Sequence, residues 1–77
     1  MNNTMEDKAE ICKAFIPVCR RTRNLCDLVD LEYRKNTNEG FFEEQVIATF
    51  ENGYTKSINV NCDSGTAMLK DILKELA

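Results

Sequence analysis

The chain has 77 residues, of which 43% are hydrophobic and 30% are charged, and its formal net charge is −3. At this length we expect one domain with a thin core, because folding buries only about 60% of the surface of so short a chain. The composition is too apolar for a disordered protein, and the acidic balance argues against a general nucleic-acid binder.

The charges are unevenly distributed along the chain. The net charge is +2 over residues 1–26, −5 over residues 27–51 and zero over residues 52–77. The basic residues gather at Arg20, Arg21 and Arg23, which we interpret as solvated surface or as a contact for phosphate or an acidic partner. With no stretch of about 20 apolar residues and a polar start unlike a signal peptide, we expect a cytoplasmic protein with reduced cysteines.

An N-terminal helix is indicated by apolar residues in two adjacent columns. One column recurs every seven residues at Met5, Cys12, Cys19 and Cys26, and the other contains Ile11, Val18 and Leu25. Such a repeat keeps one stripe of a helix facing inward. Pro17 interrupts the pattern, because proline removes a backbone donor and clashes with the preceding turn. We therefore predict a helix from about Met5 to Phe15, a break, and a second helical piece beginning near Pro17.

Three strands are predicted to follow as an antiparallel meander. They cover residues 27–35, 41–51 and 54–62. A five-residue loop of turn-forming residues, 36–40, separates the first two. Asn52-Gly53 separates the second and third, and this dipeptide is typical of a two-residue hairpin turn.

The predicted turns assign each side chain to one face of the sheet, because side chains alternate along a strand. An Asn52-Gly53 turn pairs Ile47 with Ile58, and the first loop then places Val29 opposite Ile47. The expected core face consists of Val29, Leu31, Tyr33, Phe41, Ile47, Ile58, Val60 and Cys62. The opposite face is polar apart from an apolar stripe on the central strand, formed by Phe42, Val46, Ala48 and Phe50.

A C-terminal helix is the clearest element of the sequence. Asp63 or Ser64 is predicted to cap it, and its apolar face comprises Met68, Leu69, Ile72, Leu73 and Leu76. The predicted fold class is α+β: a broken N-terminal helix, a three-stranded antiparallel β-meander and a C-terminal amphipathic helix packed on one sheet face.

Catalytic and metal chemistry find little support in the residue types. The chain has no histidine, which removes the commonest general base and metal ligand. The helical cysteines recur every seven residues, about 10 Å apart along a helix, whereas structural zinc sites use closely spaced pairs. We predict no enzyme activity, no catalytic residue, no metal and no cofactor, and interpret the cysteines as small buried thiols.

The apolar stripe is the best candidate for a functional surface. The N-terminal helices could cover it and complete a three-layer core, or it could stay exposed and bind another protein or a second copy of the chain. For the second case the predicted partner-binding residues are Phe42, Glu44, Val46, Ala48 and Phe50 on the central strand, with Glu32 beside them.

Two resemblances bear on function. The order of helix, three strands and helix resembles the double-stranded-RNA-binding domain, but that family opens its second helix with a lysine-rich turn where this chain has Asp63-Ser64-Gly65-Thr66. Residues 53–73, with Asn59 to Ser64 leading into Ala67 to Asp71, look like small accessory proteins of phages and conjugative elements of Gram-positive bacteria.

The second resemblance implies a non-enzymatic protein that binds another protein, in some cases as an inhibitor of a host defence system. We therefore expect a small accessory or regulatory module that binds another protein, of which an anti-CRISPR-like inhibitor is one form. The alternatives are a nucleic-acid-binding module and a self-assembling structural protein.

Overall fold

The computed structural model describes residues 5–38, 40–61 and 64–76, with the side chains of residues 5, 6, 37, 38, 41 and 42 left aside. The elements are α1 (Met5–Arg20), β1 (Leu28–Asn38), β2 (Phe41–Phe50), β3 (Thr55–Asn59) and α2 (Gly65–Leu76). The strands form one antiparallel sheet in the order β1-β2-β3. The predicted α+β class and the order α-β-β-β-α are confirmed.

The predicted break in the N-terminal helix is wrong, because α1 is continuous through Pro17 to Arg20. Proline removes one hydrogen bond at this point, but only the last turn of the helix follows it. That last turn carries Cys19, which is buried two turns after the buried Cys12. Because the helix continues past Pro17, Cys19 lies on the same buried side as Cys12.

The chain after Arg20 forms turns rather than a second helical piece. Leu25 is buried there, but Cys26 is exposed, so the last member of the predicted cysteine column lies outside the core. Cys62 lies outside the described residues.

The hairpin between β2 and β3 has a three-residue connection, and the predicted two-residue turn is wrong. The Phe50 N–H donates to the Tyr54 carbonyl at 2.9 Å, and the Gly53 N–H donates to the Phe50 carbonyl at 2.9 Å. Gly53 has a φ of +87°, as expected for a type I turn followed by a left-handed residue. Val46 therefore pairs with Ile58, and the one-residue shift exchanges the two faces of β2.

The pairing of β1 with β2 also differs from the prediction. Asn38 pairs with Phe41, so β1 continues through the predicted loop and only residues 39–40 connect the strands. A bulge between Leu28 and Asp30 interrupts the pairing. The bulge allows Leu28 and Leu31, which are three positions apart, both to be fully buried. Val29 is 48% exposed, so its predicted place in the core is wrong.

The two helices pack on the same face of the sheet, which gives two layers. The buried core joins residues of both helices, the α1–β1 turn and the sheet: Cys12, Cys19, Leu25, Leu28, Leu31, Val46, Ala48, Ile58, Val60, Met68 and Ile72. The Cys12 Sγ lies 3.9 Å from the Met68 Sδ, where the helices meet. Val46 and Ala48 of the apolar stripe are buried, as the alternative of a covered stripe expects, but the layers number two and the three-layer part of that prediction is wrong.

The C-terminal helix follows its prediction closely. Its first turn is capped by Ser64, whose Oγ accepts a hydrogen bond from the Ala67 N–H at 3.2 Å. Met68 and Ile72 are fully buried and Leu69 and Leu76 partly so. Leu73, which was expected in the same face, is 41% exposed.

Candidate functional site

One sheet face is turned away from the two helices and is covered by none of the described elements, and we call it the open face. Cross-strand pairing places its residues in three rows: Asp30, Thr49 and Thr55; Glu32, Ile47 and Ser57; Arg34, Gln45 and Asn59. Ile47, half-buried between Glu32 and Ser57, is the apolar centre of these rows. The face is otherwise polar.

The charges of the open face are held by local contacts. The Glu32 carboxylate lies 3.2 Å from an Arg34 guanidinium nitrogen, and the Asp30 carboxylate lies 2.5 Å from the Lys13 Nζ. Glu43 accepts a hydrogen bond from the Gln45 amide at 2.6 Å. These exposed pairs add little stability, but they fix where charge is presented. A depression of about 400 Å³ lies between Arg34 and Glu43 at one end.

The predicted partner-binding residues are divided by the observed register. Glu32 lies on the open face and is exposed. Val46 and Ala48 have no exposed surface, Phe50 packs against the core, and Glu44 is only 3% exposed. Their predicted placement on an accessible face is wrong, because the one-residue shift turns them toward the helices. The Phe42 side chain lies outside the described residues.

A buried polar cluster lies between α1 and the sheet, formed by Lys8, Tyr33 and Glu44. The Lys8 Nζ is 2.6 Å from the Glu44 Oε2, and the Tyr33 hydroxyl donates a short hydrogen bond to the same oxygen. The Lys8 ammonium also lies 5.7 Å from the centre of the Tyr33 ring. Burial, together with the hydrogen bond to the Glu44 carboxylate, raises the pKa of Tyr33.

The two charged members of this cluster are almost closed to solvent. Lys8 and Glu44 are 7% and 3% exposed, so both charges are removed from water and depend on each other. The backbone N–H of Glu44 donates to the Asn61 side chain, which ties the segment after β3 to the same place. Sequence reasoning missed the cluster, although Lys8 lies one helical turn before Cys12 on the buried side of α1.

The three arginines after the predicted N-terminal helix have different roles. Arg20 donates to the Leu28 carbonyl at 2.5 Å and lies 3.6 Å from the Glu51 carboxylate, so it joins the end of α1 to the sheet. Arg21 and Arg23 are exposed, and their side chains have no hydrogen bond or ion pair with any described residue. The contact of these two side chains with phosphate or an acidic partner stays a prediction.

Three cysteines, Cys12, Cys19 and Cys26, lie among the described residues. Cys12 and Cys19 are buried free thiols and Cys26 is an exposed one. Within residues 5–38, 40–61 and 64–76 no group of three or more potential metal-ligating side chains comes together. Burial raises the pKa of Cys12 to about 11 and also raises that of Cys19, as for thiols in apolar surroundings.

These thiols predict a loss of stability at alkaline pH. The raised pKa of Cys12 means that its thiol stays neutral in the fold but ionises in the unfolded chain from its ordinary value of 9.0. The contribution is complete below that pH and is lost as the pH rises toward about 11. Urea unfolding should therefore show a lower free energy of unfolding at pH 10 than at pH 7.5.

The matched control is Cys12→Ala, which should show a smaller difference between the two pH values, with Cys19 and Tyr33, whose pKa values are also raised, contributing to the remainder. A free energy of unfolding that is the same at both pH values in the natural chain would contradict the prediction.

Fold and surface together define a two-layer α+β domain with both helices on one side of a three-stranded antiparallel sheet and no described element on the other side. Comparison with models of protein families, with curated proteins and with solved structures finds no match for this chain. Among the described residues, no helix is long and apolar enough to cross a bilayer.

Proposed function

We propose that this domain is a small non-enzymatic protein-binding module that acts by placing its open face against a partner protein. The observation that carries the proposal is that both helices pack on one side of the sheet, so that neither of them covers the rows around Ile47. An apolar centre ringed by polar side chains is the usual anatomy of a protein interface.

The charge of the open face indicates the partner's surface. Asp30 is paired with Lys13 and Glu32 with Arg34, and Glu43 adds a carboxylate that accepts a hydrogen bond from Gln45, so we infer a polar, weakly basic complementary surface with a small apolar centre. Under this proposal the module masks that surface, as the resemblance to accessory proteins of mobile elements implies. An inhibitor of a host defence protein, acting in the cytoplasm, is the form of the proposal that fits that resemblance.

The test requires variants that alter one surface and leave the core intact. Ile47→Arg changes the centre of the open face, while the matched control Lys70→Glu changes an exposed side chain of α2. Partners would be captured with the natural chain and then purified for measurement of dissociation constants. We expect Ile47→Arg to weaken binding at least tenfold, which corresponds to about 1.4 kcal/mol, and Lys70→Glu to leave it unchanged.

The reverse result, with Lys70→Glu defective and Ile47→Arg normal, would show that the helical side binds and would overturn the open-face proposal. Light scattering distinguishes the homodimer alternative, because a natural dimer that becomes monomeric with Ile47→Arg would make a second copy the partner. Thermal unfolding of each variant confirms that the fold is retained.

A nucleic-acid-binding module is the second candidate. The order of helix, three strands and helix, with both helices on one sheet face, resembles the double-stranded-RNA-binding domain, and Arg21 and Arg23 are exposed. Duplex RNA titrated at low salt decides between the two. Binding that weakens steeply with salt and is lost in Arg21→Glu/Arg23→Glu would support this candidate, whereas no binding would remove it.

A further inference from the structure

A notch of about 230 Å³ opens at the end of the sheet where the α1–β1 turn, the β2–β3 turn and the end of α2 meet. Its lining includes Leu25, Asp27, Phe50, Asn52, Tyr54 and Leu76. None of these residues belongs to the open face. We call this place the terminal notch.

The lining of the terminal notch is mixed: Leu25, Phe50, Tyr54 and Leu76 are apolar or aromatic, and Asn24, Asp27 and Asn52 are polar. Leu25 is 3% exposed, and Phe50 and Leu76 are half-buried against the core. Tyr54 is 58% exposed, and its ring centre lies 5.8 Å from that of Phe50 with the planes tilted by 37°. An exposed tyrosine beside a preformed hollow is typical of the residues that dominate binding energy at interfaces.

One carboxylate, that of Asp27, lies among the lining residues of the notch. The Asp27 side chain is half-buried, lines the notch and makes no hydrogen bond or ion pair with any described residue. Its backbone is fixed, because the Asp27 carbonyl accepts a hydrogen bond from the Glu51 N–H at 3.0 Å. The neighbouring cation, Arg20, is already engaged by the Leu28 carbonyl and by Glu51.

We propose that the terminal notch binds an arginine side chain of a partner polypeptide. The methylene stem of an arginine fits against Leu25 and Leu76, while its guanidinium can stack on the Tyr54 ring and donate two parallel hydrogen bonds to Asp27. A wholly apolar side chain would cover the Asp27 carboxylate without a partner for it. An anion would be repelled. The proposal rests on the proposed protein-binding function in one respect: the arginine is supplied by the partner protein.

The probe for the test is N-acetyl-arginine N-methylamide, followed by chemical-shift changes in amide NMR spectra of the full chain. Saturable shifts are expected at residues 24–27 and 52–54, with affinity in the millimolar range. Asp27→Asn, which keeps the shape of the side chain, should weaken binding at least fivefold. The matched control is Asp30→Asn on β1, which should leave it unchanged.

The corresponding norleucine amide has the apolar stem without the cation and is expected to produce no saturable shifts. Equal binding of the norleucine amide, or equal binding by Asp27→Asn, would overturn the proposal, as would shifts that never saturate with the arginine amide. The probe involves neither the partner protein nor the open face. A negative result with the arginine amide therefore does not contradict the proposed function, and a negative result with Ile47→Arg does not contradict arginine binding in the terminal notch.

Discussion

Replacing Glu44 with alanine is expected to destabilise the domain by about 3–5 kcal/mol, because it leaves the Lys8 ammonium buried without its partner. The substitution also removes the acceptor of the Tyr33 hydroxyl. A domain of this length has a free energy of unfolding of about 4–12 kcal/mol, so the loss is a large fraction of the total. The measurement is urea unfolding at neutral pH, or a melting temperature lowered by at least about 12 °C.

Two comparisons make this prediction specific. Glu43→Ala alters the neighbouring carboxylate, which lies on the other face and is hydrogen-bonded to Gln45, and should change stability by less than about 1 kcal/mol. The double variant Lys8→Met/Glu44→Leu removes both charges and should recover most of the stability, since a buried ion pair is often replaceable by apolar residues. Equal effects of Glu43→Ala and Glu44→Ala would show that Glu44 is not in the core.

Much of the secondary structure could be predicted because it depends on local patterns. The apolar face of α2 and its Ser64 cap depend on residues that are close together in the sequence. The seven-residue spacing between Cys12 and Cys19 likewise indicates the buried side of α1. The break at Pro17 was wrong because the local cost of proline competes with the burial of Cys19, and burial is a property of the whole fold.

The faces of the sheet could not be predicted because they depend on the number of residues in each turn. Asn52-Gly53 favours a hairpin with either a two-residue or a three-residue connection, and the choice reverses every side chain of β2 relative to β3. The bulge after Leu28 then offsets β1 as well. Each error spans a few residues, yet together they assigned Val46 and Ala48 to an accessible surface and Ile47 to the core.

The candidate sites inherited these errors. The predicted register places Glu44 on the solvent-exposed face of the sheet, where it is an ordinary surface carboxylate. Nothing local in the sequence marks it as the partner of Lys8, which is 36 positions away. Glu32 kept its exposed position because the pairing shift between β1 and β2 did not alter which side of β1 it occupies. The terminal notch combines three separate segments, so no sequence pattern could have indicated it.

Val46→Asp is expected to unfold the domain, and Ile47→Asp to leave it folded. Val46 has no exposed surface and lies between Tyr33 and Ile58, so a carboxylate there loses its hydration and costs several kcal/mol, above about 4. Lys8 is already engaged by Glu44 and cannot neutralise a second charge. Ile47 lies on the open face and reaches solvent, so the same substitution should cost about 1 kcal/mol.

The pair of adjacent substitutions decides between the two registers, because a two-residue turn at Asn52-Gly53 places Ile47 in the core and Val46 outside it. Circular dichroism and urea unfolding of both variants suffice. A folded Val46→Asp together with an unfolded Ile47→Asp would require the other pairing, and would transfer the interface proposed for Ile47 to its neighbours. The observed hydrogen bonds around Gly53 predict the opposite result, in which the open face tolerates the charge and stays available to a partner.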